Sequence, residues 1–100
     1  TDKVMANGLG QFYSGLGQVR MLQERFREGE ELLQRALDCF KHYGYYWGRE
    51  RAEAYMALLL LKEGRKEEAR KYWEESRRIS NKIKNPSTEL LLQQLAKELN

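Results

Sequence analysis

The chain has 100 residues, enough for one domain, and 41% of them are hydrophobic and 33% charged. This composition excludes a disordered chain, and no apolar run approaches the roughly 18 residues of a membrane-spanning helix. The single proline argues against a β-rich fold, and the single cysteine excludes an internal disulfide and favours a reducing, cytoplasmic compartment. Because the chain opens on Thr1 without a signal segment, we expect a fragment of a longer protein.

Apolar residues recur at three- and four-residue steps along five segments, a spacing that predicts five helices and an all-α fold. The first helix is predicted to continue to about Gln23, with Asp2 as its cap. Its predicted core-facing stripe is Val4, Met5, Leu9, Phe12, Tyr13, Leu16 and Val19. Four glycines inside this segment each weaken a helix by about 1 kcal/mol relative to alanine, so we expect either that close packing compensates or that the first turns fray.

The second helix is predicted to end at Gly44, because glycine readily adopts the left-handed conformation that stops helices. Its predicted stripe is Leu32, Leu33, Ala36, Leu37, Phe40 and Tyr43. After it, we expect the aromatic residues Tyr45, Tyr46 and Trp47 to fill the joint between the second and third helices.

The third helix, predicted from about Trp47 to Glu63, is apolar nearly all round at its end, so we expect it to be the most buried. Gly64 is predicted to end it. The fourth helix has its stripe at Ala69, Tyr72, Trp73, Ser76, Ile79 and Ile83. Pro86 suits the first position of a fifth helix. The apolar positions of that helix are Leu90, Leu91, Leu92, Leu95 and Leu99.

A shift of 40 residues aligns positions of similar size. Gly29 falls on Ala69, and Ala36 falls on Ser76. These are places where two antiparallel helices must touch, with a small residue at the crossing. A recurring helix pair with such a crossing is typical of a solenoid.

These positions resemble the tetratricopeptide repeat over about residues 10–83. The motifs of the first copy are Tyr13-x-x-Leu16-Gly17, Arg25-Phe26-x-Glu28-Gly29 and Leu33-x-x-Ala36. Those of the second copy are Met56-Ala57, Gly64-Arg65-x-x-Glu68-Ala69 and Trp73-x-x-Ser76. The resemblance implies a short right-handed solenoid of about two and a half repeats, at residues 1–44 and 45–84 with a capping helix at 86–100.

Three features depart from the family pattern. Glu24 stands where the turn glycine is usual, and Glu53 where a large aromatic residue is usual. The spacing is 40 residues, whereas the common repeat has 34, so a HEAT-type helix pair is the alternative.

The resemblance also implies a protein–protein interaction scaffold within a larger regulatory or signalling protein. Its partner or peptide would lie in a concave groove formed by the first helix of each repeat. The groove positions in the first copy are Gln11, Ser14, Gln18, Met21 and Leu22. Those in the second copy are Arg51, Ala54, Tyr55, Leu58, Leu61 and Lys62. Because Arg51 and Lys62 are positive, we expect an acidic or amphipathic partner segment.

No motif of the chain predicts catalysis. The glycine-rich segments lack the lysine and hydroxyl of a phosphate loop and the third glycine of a dinucleotide fingerprint. Cys39 and His42 are three residues apart, but a zinc site requires further ligands. We therefore expect no enzyme, no metal site and no cofactor.

Two alternatives to the groove remain open. Basic residues exceed acidic ones between Lys62 and Lys84, which would suit a helical array that binds RNA or DNA. A self-assembly module would instead use the apolar faces left uncovered at the ends of the stack.

Overall fold

A computed structural model describes residues 2–100, and within that range every regular element is a helix. The five helices are α1 (Asp2–Leu22), α2 (Phe26–Tyr43), α3 (Arg49–Lys62), α4 (Lys66–Ser80) and α5 (Pro86–Leu99). The all-α prediction is confirmed, with the first helix one residue and the third three residues shorter than predicted. Thr1 lies outside the described residues.

Neighbouring helices pack in sequence, and α3 lies at the centre. Three-residue turns join α1 to α2 and α4 to α3, so each of these pairs runs antiparallel. α3 contacts each of the other four helices, and eight of its residues are buried. The prediction that the third helix is the most buried element is confirmed.

The two short turns have the same backbone geometry, 40 residues apart. Glu24 and Gly64 both have positive φ, at 62° and 77°. The next residues, Arg25 and Arg65, have φ and ψ of −94° and 69°, and −93° and 65°. The amide of each arginine donates to the carbonyl five residues earlier, at 2.9 and 2.8 Å. Gly64 therefore ends α3 as predicted, and Glu24 occupies the corresponding left-handed position.

The helix crossings are made by small residues. A Cβ atom on Gly17 would lie 2.8 Å from Leu33 Cγ, and one on Gly29 would lie 3.1 Å from the carbonyl oxygen of Gly17. The corresponding residues of the second pair, Ala57 and Ala69, have no exposed surface. The predicted role of these positions in close packing is confirmed.

Most of the predicted stripe of α1 does not face the core, although Tyr13 packs against it and Leu16 is half-buried. Met5 and Phe12 are 65% and 60% exposed, and Val4, Leu9 and Val19 are exposed as well. The face that packs on α2 is instead made of small residues and one methionine: Ala6, Gly10, Ser14, Gly17 and Met21.

The physical reason is that α2 supplies the bulk of this interface. Its Leu33, Leu37 and Phe40 are fully buried, with Phe40 next to Gly10 and Leu33 next to Gly17 of α1. A Cβ atom on Gly10 would lie only 2.6 Å from the ring of Phe40, so a large residue there has no space. Hydrophobic periodicity alone selects the wrong face of α1, because the residues on the buried face are distinguished by their small size and not by their hydropathy.

The aromatic joint is also different from the prediction. Tyr45 is half-buried against the core, but Tyr46 and Trp47 are exposed. The backbone of Gly48 lies next to Phe40 at this joint, and a Cβ atom on Gly48 would lie 2.8 Å from the ring of Phe40. Gly44 ends α2 with φ of 70°, as predicted.

The fifth helix covers the open side of the second pair. The side chain of Asn85 accepts a hydrogen bond from the Ser87 amide at 3.2 Å, and Pro86 occupies the first turn as predicted. Leu92, Leu95 and Leu99 are buried, and α5 contacts α3 and α4. The indole of Trp73 donates to the Leu92 carbonyl at 2.8 Å, which fixes α5 on α4.

Candidate partner-binding groove

Two open depressions meet at Lys62. The first, of about 340 Å³, is lined by Met21, Leu22, Glu24, Phe26 and Lys62. The second, of about 460 Å³, is lined by Leu58, Leu61, Lys62 and Glu98. We call the two together the Lys62 groove.

The groove lies where the ends of three helices come together. Residues 21 and 22 end α1, residues 58–62 end α3, and residue 98 lies next to the end of α5. Because Met21 and Leu22 line the same depression as Lys62, the C-terminal ends of α1 and α3 share one edge of the molecule. α3 contacts both α1 and α5, so this edge is continuous.

Only part of the predicted site converges here. Met21 and Leu22 line the first depression, and Leu58, Leu61 and Lys62 line the second. The other predicted residues, which line neither depression, are Gln11, Ser14, Gln18, Arg51, Ala54 and Tyr55.

Three of the predicted groove residues are buried. Ser14 is 3% exposed and Ala54 has no exposed surface. Ser14 Oγ accepts a hydrogen bond from Gln18 Nε2 at 3.4 Å, so it orients Gln18 and does not present its own hydroxyl. Met21 belongs to the hydrophobic core and forms the floor of the first depression. The prediction that these three side chains contact a partner directly is therefore corrected. Their role is to support the residues around them.

The charge of the groove is mixed. None of the ion pairs among residues 2–100 includes Lys62, so its ammonium group is available to a partner. Glu24 and Glu98 flank it, one in each depression. A bound segment with an acidic group at the centre and basic groups at its sides would match this pattern.

The basic stretch from Lys62 to Lys84 is partly neutralised. Arg65 pairs with Glu30 at 2.7 Å and with Glu68 at 2.5 Å, and these hydrogen bonds hold the pKa of the guanidinium above its usual value. Arg70 pairs with Glu67, and Arg78 with Glu75, at 2.6 and 2.5 Å. Cations already paired release fewer counterions from a nucleic acid, so this surface suits RNA or DNA less well than the sequence suggests.

Two buried glutamates of α3 are absent from the sequence-based prediction. Glu50 accepts hydrogen bonds from the Gly48 amide at 3.1 Å and from Thr88 Oγ1 at 2.5 Å. Its carbonyl accepts one from Ser76 Oγ at 2.6 Å. Glu50 thus ties α3 to α4 and α5, a long-range role that no local pattern indicates.

Glu53 is buried beside Arg49, with 3.6 Å between Arg49 Nε and a carboxylate oxygen. Neither of its oxygens has a hydrogen-bond partner among residues 2–100. Burial raises the pKa of Glu53, and the positive charges of Lys41 and Arg49 lower it in part. The only sequence signal was a glutamate where the resembled repeat usually has an aromatic residue.

No His, Cys, Asp and Glu cluster of three or more is positioned for a metal ion within residues 2–100. In that same range, no helix combines the length and the hydropathy needed to cross a membrane. The chain matches no family model, no curated protein and no solved structure.

Proposed function

We propose that this chain is a tetratricopeptide-like scaffold that binds a protein or peptide partner in the Lys62 groove, as part of a larger cytoplasmic regulatory protein. The helices would stack as a short right-handed solenoid with α1, α3 and α5 in one layer and α2 and α4 in the other. The extents of 42 × 30 × 19 Å support two layers, since a helix with its side chains is about 10 Å wide.

The observation that carries the proposal is the groove itself. Lys62 is unpaired among the described residues, and it lies between two depressions whose apolar lining is Leu22 and Phe26 on one side and Leu58 and Leu61 on the other. Apolar contacts beside a single free charge provide both affinity and orientation for an extended or helical segment. The proposed activity is binding, and no step of catalysis is part of it.

The partner segment would be amphipathic. Its apolar side chains would contact Leu58 and Leu61, and an acidic side chain would face Lys62. Glu24 and Glu98 would disfavour a uniformly acidic segment, because like charges would then be brought together at both sides of the groove.

Selection of random peptides displayed on phage, with the chain immobilised, tests the proposal. We expect enriched peptides to contain aliphatic residues around an acidic one. Lys62→Glu should weaken the binding of an enriched peptide by about tenfold or more, because it removes the only free cation of the groove and adds repulsion. Leu58→Ala should weaken it by a similar factor through lost apolar contact.

Arg77→Glu is the matched control, because it makes the same charge change on an exposed residue of α4 that lines neither depression. It should alter affinity by less than about twofold. If Arg77→Glu weakens binding as much as Lys62→Glu, the groove is not the binding site. Tight, salt-sensitive binding of single-stranded RNA that is lost in Arg77→Glu would favour the nucleic-acid function.

A further inference from the structure

An apolar surface on α1 is left uncovered by the rest of residues 2–100. Its members are Met5, Leu9, Phe12, Leu16 and Val19, which we call the α1 stripe. Four of these side chains are exposed, and Leu16 is half-buried. The helix is nevertheless held in place, because its opposite face packs along the whole of α2.

The spacing and chemistry of the α1 stripe are those of a helix–helix seam. Its members alternate at steps of four and three residues, the a and d spacing of a coiled coil. No charged residue lies between Lys3 and Arg20, although a third of the chain is charged. Because α1 is already folded on α2, a second helix could pack on it without any cost of helix nucleation.

Two glycines beside the stripe are not required by any close contact among the described residues. Gly8 and Gly15 are two helical turns apart, and a Cβ atom at either position would meet no atom within 4 Å. Gly10 and Gly17, by contrast, are required by the close approach of Phe40 and Leu33. Glycine inside a helix is unfavourable unless another backbone comes near, so Gly8 and Gly15 indicate a close neighbour outside this chain.

We infer that the α1 stripe pairs antiparallel with the α1 stripe of a second copy of this chain. A two-fold axis beside Phe12 brings Met5 level with Val19 of the second copy. The same axis brings Leu9 level with Leu16. In both pairs, the two residues lie at the same height along the helix axis to within about one residue, a rise of roughly 1.5 Å. The stripe is therefore complementary to itself across the two-fold axis.

The edges of the stripe fit the same arrangement. Gly8 comes beside Gly15 of the second copy, on the same edge, where the two backbones approach. On the other edge Asp2 comes near Arg20 of the second copy. A parallel pair would place Asp2 beside Asp2 and would align the helix dipoles, both of which are unfavourable.

The pairing is independent of the Lys62 groove. With 3.6 residues per turn, the stripe lies on a different side of α1 from Leu22, which lines the groove. A dimer would therefore carry two open grooves, and failure of either proposal leaves the other testable.

Sedimentation equilibrium of the chain from about 5 to about 500 µM tests the inference, a range that spans weak specific dimers. We expect a monomer–dimer equilibrium. Phe12→Glu should raise the dissociation constant by at least about tenfold, because it places two carboxylates against each other near the two-fold axis. Leu90→Glu is the matched control, since Leu90 is 57% exposed on α5; it should leave the constant unchanged.

The orientation is tested by cysteine pairing with Cys39→Ala as background. A mixture of Met5→Cys and Val19→Cys should form the mixed disulfide dimer under mild oxidation, and neither variant alone should. A chain that is monomeric throughout the concentration range, or a dimer that Phe12→Glu leaves intact, would overturn the inference. Disulfide dimers of Met5→Cys alone would overturn the antiparallel arrangement.

Discussion

At the scale of the residue, Glu24 is the one non-glycine among the described residues with positive φ. Its counterpart Gly64 has nearly the same conformation without the strain that a Cβ atom adds. We expect Glu24→Gly to raise the free energy of unfolding by about 0.5–1 kcal/mol, because it relieves this strain.

Urea titration checks this expectation, and Gly64→Ala is the reciprocal control. A Cβ atom at Gly64 would meet no atom within 4 Å, so any effect there comes from backbone strain alone. Gly64→Ala should lower the free energy of unfolding by about 1 kcal/mol. Equal stability of all three proteins would contradict the equivalence of the two turns.

Glu53 makes the stability of the chain depend on pH. Burial raises its pKa above the usual 4.5, so between the two values the folded protein binds more protons than the unfolded chain. The free energy of unfolding should therefore fall as pH rises through this window. Relative to the wild type, Glu53→Gln should gain stability as pH rises above the usual pKa of 4.5, by about 1.4 kcal/mol for each unit of pKa shift.

Urea titrations of both proteins at several pH values measure this difference. Glu75→Gln is the comparison with the opposite sign, because hydrogen bonds from Arg78 lower the pKa of Glu75. Its loss of stability relative to the wild type should grow as pH rises. A pH-independent difference between Glu53→Gln and the wild type would show that Glu53 is not held in its buried, pKa-raised state.

At the scale of the element, the buried and exposed faces of α1 differ more in the size of their side chains than in their hydropathy. α1 crosses α2 at Gly17, whereas a Cβ atom on Gly15, two residues earlier, would meet no atom within 4 Å. Gly17→Ala should lower the free energy of unfolding by about 1–3 kcal/mol, because its Cβ atom would overlap Leu33. Gly15→Ala should raise it by about 0.5–1 kcal/mol through helix propensity.

These titrations are done at low protein concentration, where self-association does not contribute. Both variants replace glycine with alanine in the same helix. The gain in helix propensity is therefore the same, and it cancels when their free energies of unfolding are compared. Stabilisation by both substitutions would show that α1 and α2 do not cross closely at Gly17.

At the scale of the whole molecule, stability is concentrated at α3. It contacts every other helix, and Leu59 and Leu60 are buried, whereas the first half of α1 buries only Ala6 and Gly10. We expect amide hydrogen exchange to be slowest at Leu59 and Leu60 and about 100-fold faster or more at Leu9, since local opening requires less buried contact to be lost there. Uniform protection across α1 and α3 would contradict this gradient.

The five helices, and the ends marked by Gly44, Gly64 and Pro86, follow from local sequence alone. Spacing of apolar residues defines five helices, and Gly44, Gly64 and Pro86 act through their own backbone preferences, so no distant contact is needed to predict them. The crossing at Gly29 and Ala69 was also predictable, because a small residue recurs there at a fixed spacing.

Of the residues that line the Lys62 groove, five were expected from the resemblance to the tetratricopeptide repeat: Met21, Leu22, Leu58, Leu61 and Lys62. Phe26 and Glu98 were not, since they enter the groove from α2 and α5. Convergence of residues from separate helices depends on packing angles that one-dimensional spacing does not contain.

The buried face of α1 is set by its packing against α2 and is not evident from the sequence of α1. The sequence offers Phe12 and Leu9 as the more hydrophobic face, but Phe40 and Leu33 of α2 leave space only for residues such as Gly10 and Gly17. Burial follows from the fit between two surfaces, and the large side chains of one helix require small ones on the other. Hydropathy describes each helix separately, so it could not reveal that the apolar side of α1 would remain exposed.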